Sequence, residues 1–188
     1  MIEPLPVNEI FETVQGEGYW TGRPAVFIRL QGCPVGCPWC DTQFTWARHA
    51  NREVDTDTMM AKELSGEDTW ALLTPDKITE LALFFTARHV VITGGEPAIH
   101  DLMPLTAALR AAGLSVQIET SGTYRIQCHH ETWVTVSPKI AMPGGLPVRA
   151  ECIRRANEIK MPVCKRSDIN ALDKLIEDGW VDPAAMIY

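Results

Sequence analysis

Three cysteines fall within one short glycine- and proline-rich stretch, Gly32-Cys-Pro-Val-Gly-Cys-Pro-Trp-Cys-Asp41, with Cys33, Cys37 and Cys40 spaced C-x3-C-x2-C. Gly32 and Gly36 let the backbone take positive φ and approach a bulky group closely, while Pro34 and Pro38 keep the segment out of a helix. Three sulfurs can then converge on one point, and whatever fold forms must support that loop. Thiolates select zinc or an iron-sulfur cluster. Structural zinc usually has four protein ligands, and the local candidates for a fourth are Asp41 and the more distant His49. An iron-sulfur cube held by three thiolates keeps one iron open to a small molecule. A redox disulfide is a third reading. Three unrelated core thiols is a poorer one, because loop cysteines this close would react with one another.

With 188 residues, 46% hydrophobic and 22% charged, the chain can bury one sizeable core and hardly two. The expectation is one domain over 1–188. No apolar run approaches the length of a membrane span, and the first residues show no basic region followed by a signal core. The expected location is the cytoplasm. Six cysteines without an evident paired framework also suit a reducing compartment. Lys plus Arg is 17 against 24 for Asp plus Glu, a net charge of −7, which argues against direct binding to a nucleic-acid backbone.

Buried-strand patterns alternate with helical ones. Ala25 to Leu30 reads as a strand leading straight into the cysteine loop, and His89 to Thr93 as another leading into Gly94-Gly95. Ser115–Thr120, Trp133–Ser137, Glu158–Met161 and Ala185–Tyr188 read as further strands. Helical periodicity runs from Pro75 to Arg88, Asp101 to Ala112 and Ser167 to Asp178, with start signals at Thr74-Pro75, His100-Asp101 and Ser167-Asp168. This alternation implies parallel βαβ units, whose ligand sites lie outside the carboxyl ends of the strands. The polar, weakly periodic segment at about 43–74 is expected to be an insertion holding one short helix.

The cysteine loop, with the aromatic Trp39 before its last cysteine, followed by Thr93-Gly-Gly-Glu-Pro97 at a strand end, resembles the radical S-adenosylmethionine enzymes. Thr13-Val-Gln-Gly-Glu-Gly18, Phe27-Ile-Arg-Leu-Gln-Gly-Cys33, Cys40-Asp-Thr42, Glu119-Thr-Ser-Gly-Thr123 and Val136-Ser-Pro-Lys139 resemble the 7-carboxy-7-deazaguanine synthase family within that superfamily. The resemblance implies an α/β fold, a partial open (β/α)6-type barrel with one 4Fe-4S cluster. It implies that one electron from the reduced cluster splits S-adenosylmethionine, giving a 5'-deoxyadenosyl radical that takes hydrogen from 6-carboxy-5,6,7,8-tetrahydropterin. The ring then contracts with loss of ammonia to 7-carboxy-7-deazaguanine, a precursor of queuosine-type tRNA nucleosides. It further implies a magnesium ion (Mg2+), an external one-electron donor such as flavodoxin, and a homodimer.

Residue by residue, the resemblance makes Cys33, Cys37 and Cys40 the cluster ligands and Thr42 the magnesium ligand. Trp39, Cys40 and Asp41, the turn Gly94, Gly95 and Glu96, and the segment Ser137, Pro138 and Lys139 correspond to cofactor contacts. Val14, Gln15, Gly16, Glu17, Arg29 and Thr93 correspond to the pterin pocket. No side chain is assigned to the chemistry itself, which the cofactor carries. Each residue has a plainer reading: a tight turn for Gly94-Gly95, a turn cap for Thr42, packing beside the cluster for Trp39. Arg29 lies in an apolar strand, so its charge needs an anion, either the substrate carboxylate or a protein carboxylate in a buried pair. Cys128-His129-His130 lacks a spacing that would focus metal ligands, and Cys152 and Cys164 read as ordinary thiols. The family pattern continues past Tyr188 with a strand ending in Gln-Pro and a final helix, so the expected architecture is shortened at its C-terminus. Other readings are a different radical enzyme of this superfamily, such as a glycyl-radical activase, and a noncatalytic metal-binding protein.

Overall fold

The computed structural model describes residues 3–62 and 66–188. Eight strands form one open sheet in the order β3-β1-β2-β4-β5-β6-β7-β8. They are β1 (Leu5–Val14), β2 (Pro24–Leu30), β3 (Ala71–Leu73), β4 (His89–Gly94), β5 (Ser115–Thr120), β6 (Trp133–Val136), β7 (Glu158–Ile159) and β8 (Met186–Ile187). β2 and β4 through β8 are mutually parallel, six strands in all, as a partial barrel requires. β1 and β3 extend the sheet antiparallel on the other side of β2.

The helices are α1 (Thr56–Met60), α2 (Pro75–Leu83), α3 (Met103–Ala111), α4 (Ala150–Arg155) and α5 (Arg166–Glu177). Thr74 caps α2 as the sequence implies, its hydroxyl accepting from the Lys77 N–H with Pro75 in the first turn. That helix ends at Leu83 rather than Arg88, and the Glu12 carboxylate of β1 instead ties down the next turn through the amides of Thr86 and Ala87. α3 begins two residues later than the Asp101 signal, although the Asp101 carboxylate still accepts from the Met103 N–H. In α5, Asp168 reaches back to the amides of Cys164 and Lys165.

The core packs β1, β2, β4 and β5 against α2 and α3 through Val26, Ile28, Ile78, Val90, Ile92, Leu105 and Leu109, all buried. A second cluster packs β6 and β7 against α4 and α5, with Val134, Val136, Ile153, Ile159 and Leu175. The segment expected as an insertion is tied into the first core. It carries α1 and the edge strand β3, and Met59, Trp70, Ala71 and Leu73 are buried. Its residues 63–65 lie outside the described residues.

Strands β1 and β3 and helix α4 escaped the sequence reading. β1 interrupts its apolar alternation with Asn8 and Glu9, both buried, and with a register shift between Val7 and Glu9. Asn8 is satisfied inside the sheet by Gln31 Oε1 at 2.8 Å and the Thr69 carbonyl at 3.0 Å. α4 has only six residues, too few for a period to show.

Candidate functional site

The carboxyl ends of the parallel strands open onto a cavity of about 850 Å³, within the usual size of small-molecule sites. Cys33, Cys37 and Cys40 line it, following β2. Thr93 and Gly94 at the end of β4, Gly95 and Glu96 just after it, and Ser137 and Lys139 after β6 line it as well. Gln15, Gly16 and Glu17 contribute from the loop after β1, Arg29 from β2, and Trp39, Asp41 and Thr42 from the cysteine loop.

Two expected site residues stand outside this lining. Val14 is 54% exposed, and Pro138 is buried between two residues that do face the cavity. Alternation of side chains along extended backbone explains both, since the neighbours Gln15, Ser137 and Lys139 take the inward positions.

The turn after β4 is pressed against the cysteine loop. Gly95 N–H donates to Leu30 C=O and Glu96 N–H to Gly32 C=O, each at 2.8 Å. A Cβ on Gly95 would stand 2.0 Å from the Gly32 oxygen, and one on Gly94 2.3 Å from the Leu30 nitrogen. Only glycine permits that approach. With the two amides engaged, the polar groups this turn offers an ammonium are carbonyl oxygens. The Glu96 carboxylate points into the protein, where the Thr120 and Ser121 hydroxyls and the amides of Ser121 and Ala98 donate to it. It anchors the turn to the loop after β5.

The three cysteines are free thiols, a soft donor set on one cavity wall that fits an iron-sulfur cluster. Burial pushes the Cys33 thiol up to about 11, and burial also raises Cys37, opposed by the cationic Lys139. Loading a cluster therefore means releasing protons. Cys40 Sγ accepts from the Trp46 indole at 3.3 Å and lies 3.5 Å from the Thr42 hydroxyl. The main chain of the next segment clamps the loop too, with Gly32 N–H on Thr45 C=O at 2.7 Å and Cys33 N–H on Trp46 C=O at 3.0 Å. For magnesium the protein offers little beyond the Thr42 hydroxyl and the exposed Asp41, which suits an ion that keeps waters and substrate oxygens.

On the far side, Lys160 Nζ bridges Glu17 Oε2 at 2.5 Å and Glu119 Oε2 at 3.0 Å. Gln15 Nε2 donates to the other Glu119 oxygen at 2.8 Å. Burial alone would depress the lysine, but Glu119 and Glu17 outweigh it and hold Lys160 above its ordinary value. The hydrogen bond and charge of Lys160 hold Glu17 below the usual carboxylate range. Lys139 is different: burial lowers it, and its Nζ donates to Ser137 Oγ at 2.5 Å.

Arg29 faces the cavity, yet its Nε lies 2.6 Å from Glu9 Oε1. Of the two anions the sequence left open for Arg29, the protein carboxylate is present, because the sheet brings Glu9 of β1 opposite Arg29 of β2. Sequence reasoning also missed Lys160, Trp46 and Glu9, whose partners are distant in the chain or on another strand. Contrary to the sequence reading, the turn at His129, His130 and Glu131 does gather three ligand atoms within 4.8 Å of one another. Glu131 is engaged by the Arg110 guanidinium at 3.0 Å, so a cation there would compete with an existing one.

Comparison with known proteins agrees with this site. The Radical SAM superfamily profile matches residues 27–133. The 7-carboxy-7-deazaguanine synthase of Escherichia coli strain K12 is 55% identical over 172 residues, covering 91% of this chain and 77% of that protein. The one from Buchnera aphidicola is 42% identical, covering 92% of this chain and 77% of its own length. The crystal structure of QueE from Escherichia coli superposes with a TM-score of 0.93 at 52% identity, covering 97% of this chain and 81% of that one. No helix among the described residues is long and apolar enough to cross a membrane. With its cysteine loop and glycine turn clamped together at the mouth of a parallel sheet, the chain belongs to the radical SAM superfamily and, within it, to the 7-carboxy-7-deazaguanine synthase family.

Proposed function

We propose that this chain is a 7-carboxy-7-deazaguanine synthase, a radical SAM lyase. It converts 6-carboxy-5,6,7,8-tetrahydropterin to 7-carboxy-7-deazaguanine with loss of ammonia, in the biosynthesis of queuosine-type nucleosides. The observation that carries this reading is the convergence of three free thiols, the Gly94–Glu96 turn and Lys139 on one cavity. When bound, the 4Fe-4S cluster and S-adenosylmethionine supply one-electron bond-cleaving chemistry.

The chain's own residues bind and orient. Cys33, Cys37 and Cys40 hold the cluster. Carbonyl oxygens of the Gly94–Gly95 turn receive the methionyl ammonium, and Lys139 receives a carboxylate that replaces its Ser137 contact. Trp39, 59% exposed at the cavity mouth, flanks the adenine. Thr42, with Asp41 nearby, would hold magnesium, which would supply positive charge to bind the substrate carboxylate. Gly16, Glu17, Thr93 and the Arg29 guanidinium line the pterin side. Gln15 serves the pocket by fixing Glu119. The chain is read as one domain with 43–74 as its insertion, acting as a cytoplasmic homodimer supplied with electrons by a donor such as flavodoxin.

The test is anaerobic reconstitution with iron and sulfide, followed by assay of 5'-deoxyadenosine formation from S-adenosylmethionine with and without the carboxytetrahydropterin. Formation that depends on the pterin supports the reading. A full cluster without cofactor cleavage favours a noncatalytic metal-binding protein, and pterin-independent cleavage favours another enzyme of the superfamily.

A further inference from the structure

Trp46 touches both ends of the cysteine loop by different atoms. Its carbonyl accepts from Cys33 N–H at 3.0 Å, and its indole N–H donates to Cys40 Sγ at 3.3 Å. Among the described residues it is the one side-chain N–H that reaches any of the three sulfurs, and the ring lines the cavity. Cys33 instead has backbone amides, those of Val35 and Gly36. Trp46 is also held in place from below, because its own N–H donates to Gln43 C=O at 3.0 Å while Thr45 Oγ1 donates to the Thr42 carbonyl at 2.7 Å. The indole is thus fixed against the sulfur by the backbone on either side.

A hydrogen bond to a ligating thiolate favours the more negative, reduced cluster, so donors to sulfur raise the reduction potential. Resting on the cluster assignment above, we infer that Trp46 is a positioning residue that sets the potential of the cluster through Cys40, in addition to bracing the loop. Its carbonyl does the bracing and its ring N–H the tuning, so the two roles separate by substitution. Trp46→Phe keeps the carbonyl and an aromatic ring and removes the N–H together with the pyrrole half of the indole. Trp46→His restores a ring N–H.

The test is a redox titration with dithionite, followed by electron paramagnetic resonance of the reduced cluster, on the reconstituted parent, Trp46→Phe and Trp46→His chains at matched iron and sulfide content. The step read is the addition of one electron from dithionite to the oxidised cluster, with no bond made or broken. The expected result is a more negative midpoint for Trp46→Phe. At a fixed potential near the midpoint the reduced-to-oxidised ratio falls by up to about tenfold, or 59 mV for one electron, and the histidine variant lies between. In the reduced parent carrying indole-15N tryptophan, a nitrogen hyperfine coupling is present that Trp46→Phe lacks. Equal midpoints at equal cluster content would overturn this inference and leave the enzyme assignment standing. Loss of the cluster in both variants would make Trp46 a packing residue and overturn it as well. A parent that binds no cluster would overturn both readings.

Discussion

Arg29 Nε and Glu9 Oε1 lie 2.6 Å apart across the β1–β2 ladder, with side chains only 15% and 9% exposed. Breaking such a pair from one side leaves a largely buried charge, which costs more than the pair itself contributes. Arg29→Met should therefore lower unfolding stability by about 3–5 kcal/mol, read from urea midpoints, and Glu9→Ala by a similar amount. Arg29→Lys keeps the charge and loses the fork, so it should recover part of the stability but bind the carboxytetrahydropterin less tightly. Unchanged stability in Arg29→Met would place the arginine wholly in the service of the substrate.

Lys160 gives the cavity a pH signature. Glu17 titrates below its unfolded value, so its contribution is present above the ordinary carboxylate pKa and fades as pH falls through the lower folded one. Lys160 titrates above its unfolded value, so its contribution holds below the ordinary lysine pKa and fades as pH rises through the higher folded one. Glu17 is 67% exposed, which keeps its share small. The stability margin of the parent over Lys160→Met should be largest near neutrality, shrinking below about pH 4 and above about pH 10.4. Denaturation across that range checks it, and a margin constant from pH 7 to pH 3 would mean that the Glu17 contact contributes nothing.

Gly95→Ala should displace the cysteine loop, because the new Cβ meets the Gly32 backbone at 2.0 Å rather than a yielding side chain. Overpacking of this kind costs about 1–3 kcal/mol or more. Bound iron after reconstitution should fall sharply. Gly16→Ala, with nothing within 4 Å of its added Cβ, should load iron as the parent does. Equal iron in the two variants would show that the turn does not support the loop.

Thr42→Ala should leave the cluster intact, since its hydroxyl stands 3.5 Å from Cys40 Sγ and contributes no sulfur ligand. Turnover should fall, and added magnesium should restore less of it than in the parent. The same magnesium response in both chains would leave Thr42 as a turn residue only, a role its carbonyl already plays by accepting from Thr45 N–H at 2.9 Å.

What could be read from the sequence were the features written in local backbone: the glycine-spaced cysteine loop, the Gly94-Gly95 turn, and the strands that deliver them. Those motifs fix their own geometry within a few residues. Lys160, Glu9 and Trp46 were not legible because their meaning lies in partners on other strands or across a loop. Lys160 finds Glu17 only because the loop after β1 folds inward to meet the residue following β7. β1 was hidden for a related reason, its polar residues Asn8 and Glu9 being matched by Gln31 and Arg29 rather than by water.

The central claim is the identity of the reaction, and product analysis tests it most directly. The reconstituted, reduced chain is incubated anaerobically with S-adenosylmethionine, magnesium and 6-carboxy-5,6,7,8-tetrahydropterin, and the products are resolved by liquid chromatography and mass spectrometry. The account predicts 7-carboxy-7-deazaguanine and ammonia in equal amounts, both absent in Cys37→Ala. Consumption of S-adenosylmethionine with the pterin recovered unchanged would contradict it.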